Sequence, residues 1–365
     1  MPSKSYALRP SSLAAPIAPG LSDHGLPTSL YGRDLCSMRD LTPEEVQLIL
    51  QTAHQLKAQP QNYRRALDAK QMVLFFEKES LRTRLTFEAG INTLGGSAIF
   101  VDQTSSRLGQ REPLADVARN LERWVNVIVL RTYAHDTITG MAQYANVPVI
   151  NALSDIEHPC QALADIFTLQ EHFGDLRGLR LAYLGDGNNV AHSLMLAAAQ
   201  AGMHCTLATP PQYGPAAEYL AAAQSIAAAT GGKVEWIHDP RKAVIGADAV
   251  YTDVWTSMGQ EAVMEQRNEA CRPFQVNQQT MSLAAPHAIF MHCLPAHRGD
   301  EVTEEVLDGP QSVVFEQAEN RLHAQKAILL LVMGGMAAND SSCVHEDGYA
   351  ATRGTRKRSH VPAFS

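Results

Sequence analysis

The chain has 365 residues, of which 45% are hydrophobic and 19% are charged, so it is long enough for two globular domains of ordinary size. Its formal net charge of −8 excludes broad nucleic-acid binding but leaves room for a local basic pocket. No apolar run is long enough to span a bilayer, so no membrane association is predicted. Six scattered cysteines without a Cys-x-x-Cys pair favour a reducing compartment over a disulfide framework or a zinc site.

Both ends of the chain are predicted to be disordered extensions, over residues 1–30 and 337–365. The first is rich in Ser, Ala, Pro and Leu and carries only Lys4 and Arg9 as basic residues before Asp23. We expect a cytoplasmic protein. The alternative is an organelle matrix, if the first extension is a transit peptide.

Strands alternate with helices from residue 31 to 173, which predicts a first domain built on a parallel sheet. Its first helix starts at Thr42 as the cap, with Pro43 at the first position and acidic residues in the first turn. The predicted elements are helix 42–57, strand 71–76, helix 80–94, strand 97–101, helix 114–124, strand 125–130, helix 137–144, strand 147–150 and helix 158–172.

The pattern restarts after residue 173, which predicts a second domain over 174–318. Its elements are strand 179–184, helix 190–201, strand 205–208, helix 216–230, strand 234–237, helix 241–245 and strands 249–252 and 289–291. A final helix, 319–333, crosses back to complete the first domain. The predicted fold class is therefore α/β, with two doubly wound parallel-sheet domains joined by two crossing helices and a ligand site in the interdomain cleft.

The most informative motif is Ser80-Leu81-Arg82-Thr83-Arg84, which follows a buried strand and opens a helix. A helix N-terminus offers free N–H groups and the positive end of a dipole, and hydroxyls and guanidiniums match phosphate oxygens. The motif predicts an oxyanion site, most simply for phosphate. An ordinary capped helix with exposed arginines is the alternative.

Other polar and reactive residues follow the remaining strands, where ligands bind in open α/β sheets. They are Arg131, Asn151, the segment His158-Pro159-Cys160-Gln161, Asn188, Asn189, Asp253, Ser257, Met258 and the segment His292-Cys293-Leu294-Pro295. A carboxylate at Asp253 suits an amine, and Met258 offers an apolar wall. Gly185-Asp186-Gly187 resembles half of a dinucleotide fingerprint, but Val190 occupies the place of its third glycine. A nucleotide-binding oxidoreductase is therefore the weaker alternative.

Four of these segments resemble the aspartate/ornithine carbamoyltransferase family, and the resemblance covers about residues 31–333. Ser-x-Arg-Thr-Arg and His-Pro-x-Gln are similar to motifs of carbamoyltransferases generally. Asp253-Val254-Trp255-Thr256-Ser257-Met258-Gly259 and His292-Cys293-Leu294-Pro295 are similar to the motifs of the members that act on ornithine. The resemblance implies transfer of the carbamoyl group of carbamoyl phosphate to the δ-amine of L-ornithine, without a metal or other cofactor. The acceptor alternatives are putrescine, an N-acylated ornithine and aspartate.

The resemblance also implies a role for individual residues. Ser80, Arg82 and Thr83 would hold the phosphate, Arg131 and His158 the carbonyl oxygen and Gln161 the carbamoyl nitrogen. Arg321 would return from the last helix to the carbamoyl phosphate, and Arg107 would reach into the site of a neighbouring subunit, which implies a homotrimer or a multiple of it. Asn189, Asp253, Ser257 and Met258 would hold the head group of ornithine, with Cys293 and Leu294 beside its δ-amine. One departure is Leu81, where the family usually has Thr, so one hydroxyl is lost from the phosphate site.

Overall fold

The computed structural model of the protein describes residues 30–102, 108–256 and 264–335. The predicted extensions at residues 1–29 and 337–365 lie outside these ranges, as do Arg107, Ser257 and Met258. Leu30, assigned above to the first extension, is buried in the core instead, because the adjoining Gly32 N–H bonds to the Val332 carbonyl. No helix in the described ranges has the length and apolar character needed to cross a membrane.

The first sheet contains four parallel strands in the order β2-β1-β3-β4. They are β1 (Gln71–Phe76), β2 (Ser97–Asp102), β3 (Val127–Arg131) and β4 (Val149–Leu153). The chain moves to one side of β1 to form β2 and to the other side to form β3, so the crevice of this sheet lies between β1 and β3. The pairing of β3 with β4 shifts after Leu130, and Arg131 comes opposite Leu153 at the carboxyl end.

The second sheet contains five parallel strands in the order β7-β6-β5-β8-β9. They are β5 (Arg180–Leu184), β6 (His204–Ala208), β7 (Lys233–Ile237), β8 (Ala249–Thr252) and β9 (Ile289–His292). Strands β6 and β7 are added on one side of β5, and β8 and β9 on the other side. The second crevice therefore lies between β5 and β8, where the segments after Leu184 and Thr252 leave the sheet. The predicted pair of doubly wound parallel-sheet domains is confirmed.

Helices cover the faces of both sheets. They are α1 (Pro43–Ala58), α2 (Leu81–Thr93), α3 (Leu114–Leu121), α4 (His135–Tyr144), α5 (Pro159–Phe173), α6 (Asn189–Gln200), α7 (Ala217–Thr230), α8 (Pro240–Val244), α9 (Met264–Cys271), α10 (Gln278–Met281), α11 (Glu304–Leu307) and α12 (Val314–Met333). Short 3₁₀ turns occur at Met38–Asp40, Pro60–Tyr63, Pro211–Tyr213 and Arg272–Phe274. The chain pattern had not predicted α9, α10 and α11, since these short helices carry few apolar residues at helical spacing.

Helices α5 and α12 are the two crossing helices. Every residue from Pro159 to Leu169 is buried, as expected for a helix that is enclosed on all sides. Helix α12 packs on α1, α2 and α5. It begins at Val314 and not at Glu319 as the sequence had suggested, because Val314 is buried in the apolar cluster of the second sheet. The helix therefore starts in one core and ends in the other.

Candidate active site

The start of α2 forms one wall of the candidate site. Ser80 caps the helix by accepting a hydrogen bond from the Thr83 N–H at 3.3 Å. Phe87 and Ile91 are fully buried and fix the helix against the sheet, so its first turn has a defined position at the end of β1. The sequence motif thus presents its hydroxyls and guanidiniums from a rigid element.

A close contact between α2 and α12 brings Arg321 to this wall. A Cβ atom at Gly90 would lie only 3.3 Å from Cγ of Lys326, so the glycine lets the two helices approach each other. Nη2 of Arg321 donates a hydrogen bond to Oγ1 of Thr83 at 2.6 Å, although the two residues are 238 positions apart in the sequence. The predicted return of the last helix to the phosphate motif is therefore present.

Three guanidiniums, those of Arg82, Arg131 and Arg321, converge on this region. Burial, followed by the charges of Arg321 and Arg82, lowers the pKa of Arg131 to about 9. Within the described ranges, Arg82, Arg131 and Arg321 form no ion pair, and Nε of both Arg131 and Arg321 is buried without a hydrogen-bond partner. Such an arrangement of two buried cations and one half-buried cation is costly unless an anion binds among them. The geometry therefore favours the oxyanion interpretation over a capped helix with exposed arginines.

His158 lies beside these charges in its neutral form. It precedes α5, and its backbone N–H donates to Oγ of Ser193 at 2.8 Å, which fixes the residue across the two domains. Burial, followed by the charges of Arg321 and Arg131, lowers the pKa of its ring well below 6.5. Nδ1 is buried and has no partner among the described residues. A neutral imidazole of this kind can donate one N–H to a polar substrate atom.

The opposite wall comes from the second domain and is centred on Asp253. Its Oδ2 accepts a hydrogen bond from Nδ2 of Asn188 at 2.7 Å, and its Oδ1 accepts one from Sγ of Cys293 at 2.9 Å. Burial, followed by the charge of Asp253, raises the pKa of the Cys293 thiol well above its ordinary value. Cys293 is therefore a neutral thiol donor, which does not suit a nucleophile.

Both walls meet in one cavity of about 420 Å³ between the two sheets. Every described residue of the predicted site lines it: Ser80, Arg82, Thr83, Arg131, His158, Gln161, Asn189, Asp253, Cys293, Leu294 and Arg321. Leu81 lines it as well, and its side chain is 73% exposed. The predictions for Arg107, Ser257 and Met258 fall on residues that the structure does not describe.

The glycine-rich turn after β5 has a packing role. A Cβ atom at Gly187 would lie 2.4 Å from the backbone of Gly214 and Pro215, and the Gly187 N–H bonds to the Tyr213 carbonyl at 2.8 Å. Gly187 is therefore explained by close packing, which removes the main support for the nucleotide-binding alternative.

Asp253, His292 and Cys293 place three potential metal-ligand atoms within 4.8 Å of one another. Both ring nitrogens of His292 are already engaged, with Nδ1 accepting from the Leu294 N–H at 2.9 Å and Nε2 lying 3.1 Å from Oε1 of Glu301. These contacts fix the loop that carries Cys293, so hydrogen bonding explains why the three side chains lie close together.

Comparison with known proteins identifies the family. Residues 33–171 match the family model described as aspartate/ornithine carbamoyltransferase, carbamoyl-P binding domain, and residues 177–332 match the corresponding Asp/Orn binding domain. The chain belongs to the aspartate/ornithine carbamoyltransferase family. The resemblance inferred from four short motifs is thereby confirmed over nearly the whole described chain.

Individual carbamoyltransferases are similar over the same span. The ornithine carbamoyltransferase of Pyrococcus abyssi is 50% identical over 310 residues, which cover 84% of this chain and 98% of that protein. That of Symbiobacterium thermophilum is 52% identical over 308 residues, covering 84% and 99%. The solved structure of the Pyrococcus furiosus enzyme has a TM-score of 0.82 at 50% identity, covering 85% of this chain and 99% of that one.

Sequence reasoning gave one group of this carbamoyltransferase site no role and missed another. Asn188, predicted only as a polar residue at a strand end, caps α6 and also holds the carboxylate of Asp253. Asp165 contacts Gln161 from inside α5, where it is the only charged residue of the buried stretch from Pro159 to Leu169. A buried charge in such a helix requires partners, and that requirement could have identified it.

Proposed function

We propose that this chain transfers the carbamoyl group of carbamoyl phosphate to the δ-amine of L-ornithine, giving L-citrulline and phosphate. The observation that carries the proposal is the convergence of Arg82, Arg131 and Arg321 with neutral His158, opposite the carboxylate of Asp253. The cavity thus combines an anion site, a donor for a carbonyl oxygen and a group that binds an ammonium. The names of the similar proteins agree with this reaction, and one of them, from Pyrococcus furiosus, is named anabolic.

Carbamoyl phosphate would bind to the wall formed by α2. Ser80, Arg82 and Thr83 would hold its phosphate, and Arg321 would reach it from α12. Arg131 and His158 would donate to the carbonyl oxygen, where negative charge develops when the carbonyl carbon is attacked. Leu294 and Cys293 would line the side from which the amine approaches.

The neutral δ-amine of ornithine would then attack the carbonyl carbon. A C–N bond forms, the C–O bond to phosphate breaks, and the attacking nitrogen loses one proton as phosphate departs into the cradle of α2. Holding the two substrates together supplies much of the acceleration. Because carbamoyl phosphate is already an activated acyl donor, the residues named here suffice for this chemistry.

The amino-acid head of ornithine would be held by Asn189, Asp253, Ser257 and Met258. The support for this part is the position of Asp253, whose carboxylate faces the cavity and can pair with an ammonium group. The neutral Cys293 thiol would orient the amine and shield it from water, without forming a covalent intermediate. Detection of a carbamoylated Cys293 by mass spectrometry during turnover would overturn this role.

We also propose that the chain acts as a homotrimer, or a multiple of it, with Arg107 reaching into a neighbouring site. The support is a cavity of about 650 Å³ beside residue 108, lined by apolar and charged side chains together, among them Leu108, Arg111 and Trp124, with the Trp124 side chain 66% exposed. An exposed aromatic side chain with charged residues around it is typical of an interface between subunits. Sedimentation of a monomer at assay concentrations would contradict the proposal.

The domain boundaries are proposed as well. Residues 31–173 with α12 would form the carbamoyl-phosphate-binding domain, and residues 174–318 the ornithine-binding domain. The gap between the two family matches, after residue 171 and before residue 177, supports the boundary near residue 173. The second match includes α12, and the packing of this helix on α1, α2 and α5 is what supports its assignment to the first domain.

The decisive test is carbamoyl transfer from carbamoyl phosphate to a panel of four amines: ornithine, N-acetylornithine, putrescine and aspartate. We expect citrulline from ornithine and no comparable product from the others. Transfer to another amine would keep the donor half of the proposal and overturn the roles of Asp253, Ser257 and Met258. A folded protein without transfer to any of them would overturn the function.

A further inference from the structure

The side-chain amide of Gln161 is bound at one end only. Nε2 donates a hydrogen bond to Oδ1 of Asp165 at 2.8 Å, one helical turn further along α5. Oε1 is buried and has no partner among the described residues, although Gln161 lines the cavity. An unpaired buried carbonyl is costly, so Oε1 is the atom of this amide that is left for a ligand.

The choice between the two orientations of this amide is made by Asp165. An amide turned by 180° would place Oε1 against the carboxylate, which offers no proton to it. Oδ1 of Asp165 also accepts a hydrogen bond from Nε2 of Gln317 at 2.7 Å, and Oδ2 accepts one from the Tyr251 hydroxyl at 3.1 Å. With three donors aimed at it, the carboxyl group requires the nitrogen of Gln161 to face it.

Asp165 is itself fixed by both domains. Gln317 belongs to α12, and its Oε1 accepts the His292 N–H at 2.9 Å, next to the loop that carries Cys293. Tyr251 belongs to β8 of the second sheet. A group that is held from three elements positions its neighbour more sharply than a group on a loop would.

The ionisation of Asp165 does not alter this geometry. Burial raises the pKa of its carboxyl to about 7. Oδ1 faces Nε2 of Gln317, whose amide is fixed by the His292 N–H, so a proton is favoured on Oδ2. From there it would donate to the oxygen of the Tyr251 hydroxyl, which can accept as well as donate. Oδ1 would continue to accept from Gln161, so the acceptor atom and not the charge sets the orientation.

We propose that Asp165 is a positioning residue that makes the site select an acyl phosphate with an N–H donor on its carbonyl carbon. By holding Nε2 of Gln161, Asp165 leaves Oε1 to accept from the carbamoyl nitrogen. Acetyl phosphate shares the phosphate and the carbonyl group but carries a methyl group in that place, so it gains nothing from Oε1. The inference rests on the proposed function, which places the carbamoyl nitrogen beside Gln161.

The test compares two constants in the same ornithine assay: KM for carbamoyl phosphate and the inhibition constant of acetyl phosphate as a competitor. The ratio of the inhibition constant of acetyl phosphate to KM for carbamoyl phosphate measures how strongly the site prefers a ligand that carries the carbamoyl nitrogen. In Asp165→Ala we expect this ratio to fall about tenfold, the worth of one hydrogen bond to a buried group. A general loosening of the structure would raise both constants together and leave the ratio unchanged.

The matched control is Asp165→Asn, which retains an oxygen that can accept from Gln161 and Gln317 and an amide that can donate to Tyr251. We expect its ratio to stay within about twofold of the wild-type ratio, as its hydrogen-bonding groups remain complete. A ratio as low as that of Asp165→Ala would show that charge decides, and would overturn the proposal.

A double variant checks that Asp165 acts through Gln161. Gln161→Met alone should lower the ratio as far as Asp165→Ala does, and adding Asp165→Ala to it should change the ratio no further. If Asp165→Ala does not fold, Asp165→Ser replaces it, because the shorter hydroxyl falls short of Nε2. An unchanged ratio in a folded Asp165→Ala or Asp165→Ser variant overturns the positioning role alone, whereas a wild-type protein without citrulline formation overturns the proposed function.

Discussion

Arg131 shows at the scale of one residue how the site exchanges stability for activity. Its guanidinium is buried at the end of β3, and the neighbouring charges of Arg321 and Arg82 further disfavour its protonated form. The buried charge therefore lowers the free energy of unfolding, and binding of an anion beside it offsets this loss. The residue is explained by the chemistry of the site and not by the packing of the sheet.

Replacing Arg131 with Met should lower kcat by about 10²–10³, since one donor to the developing oxyanion contributes about 3–4 kcal/mol. Steady-state kinetics on the purified variant measure this loss. Arg84→Met is the matched control, because Arg84 is exposed and paired with Glu88 on the outer face of α2. An Arg131→Met enzyme with near-normal kcat would remove Arg131 from the oxyanion site.

Leu81 offers a gain-of-function test. The residue opens α2, lines the cavity and stands where a hydroxyl residue is usual in the family. Leu81→Thr should lower KM for carbamoyl phosphate about three- to tenfold, because one added hydrogen bond contributes about 0.5–1.5 kcal/mol. Leu81→Val is the control, because valine has the shape of threonine without the hydroxyl, and it should leave KM near the wild-type value. Equal KM values for the two variants would show that the hydroxyl has no role here.

His158 predicts a pH dependence of stability. In the folded protein its pKa is well below 6.5, while in the unfolded chain the ring takes up a proton as the pH falls below about 6.5. The unfolded state then binds more protons, so His158 lowers the free energy of unfolding as the pH falls from 7 to 5.

The measurement is urea unfolding of the wild type and of His158→Gln at pH 7 and pH 5. We expect the loss of unfolding free energy between these pH values to be smaller in the variant by about 1–2 kcal/mol, following about 1.4 kcal/mol per pH unit for one group. Other titrating groups are common to both proteins and cancel in the difference. Identical losses would mean that His158 is protonated in the folded state.

At the scale of secondary-structure elements, the contact between α2 and α12 sets the distance of Arg321 from the phosphate motif. Gly90→Leu inserts a side chain where even a Cβ atom lies 3.3 Å from Lys326. Overpacking of this kind costs about 1–3 kcal/mol and pushes the helices apart. We expect KM for carbamoyl phosphate to rise at least tenfold as the contact between Arg321 and Thr83 is lost.

The neighbouring substitution Ala89→Leu is the control, because Ala89 is exposed on the same helix. It should leave KM and the melting temperature close to the wild-type values. If Ala89→Leu raised KM as much as Gly90→Leu does, the effect would belong to α2 itself and not to its contact with α12.

The elements were predictable from sequence to the extent that their signals are local. The strand that precedes Ser80 and the buried strand that ends at Arg131 follow from apolar runs, and polar residues at strand ends indicated the site. The placement of Arg321 at the site came from family resemblance, and its contact with Thr83 was not predicted, since residues 238 positions apart share no local signal. The network around Asp165 depends on donors from three separate elements, so it became visible only in the folded chain.

At the scale of the whole molecule, the cavity between the domains should respond to anions. Inorganic phosphate should raise the melting temperature by a few degrees, because a ligand at about 100 times its Kd adds about 2.7 kcal/mol to stability. Chloride at equal ionic strength is the control. In Arg131→Met we expect a melting temperature at least equal to that of the wild type without phosphate, and a smaller shift with it. A full shift in this variant would show that the charge of Arg131 does not contribute to phosphate binding.

Helix α12 has a consequence for how the protein is made. The helix is the last described element of the chain, yet it packs on α1, α2 and α5, which are synthesised much earlier. The face of α2 around Gly90, which contacts Lys326 of α12 in the folded protein, must therefore stay uncovered while the rest of the chain emerges from the ribosome. The N-terminal half can complete its core only after translation has passed Met333. A stop codon near the end of the message would damage the half of the protein that is translated first.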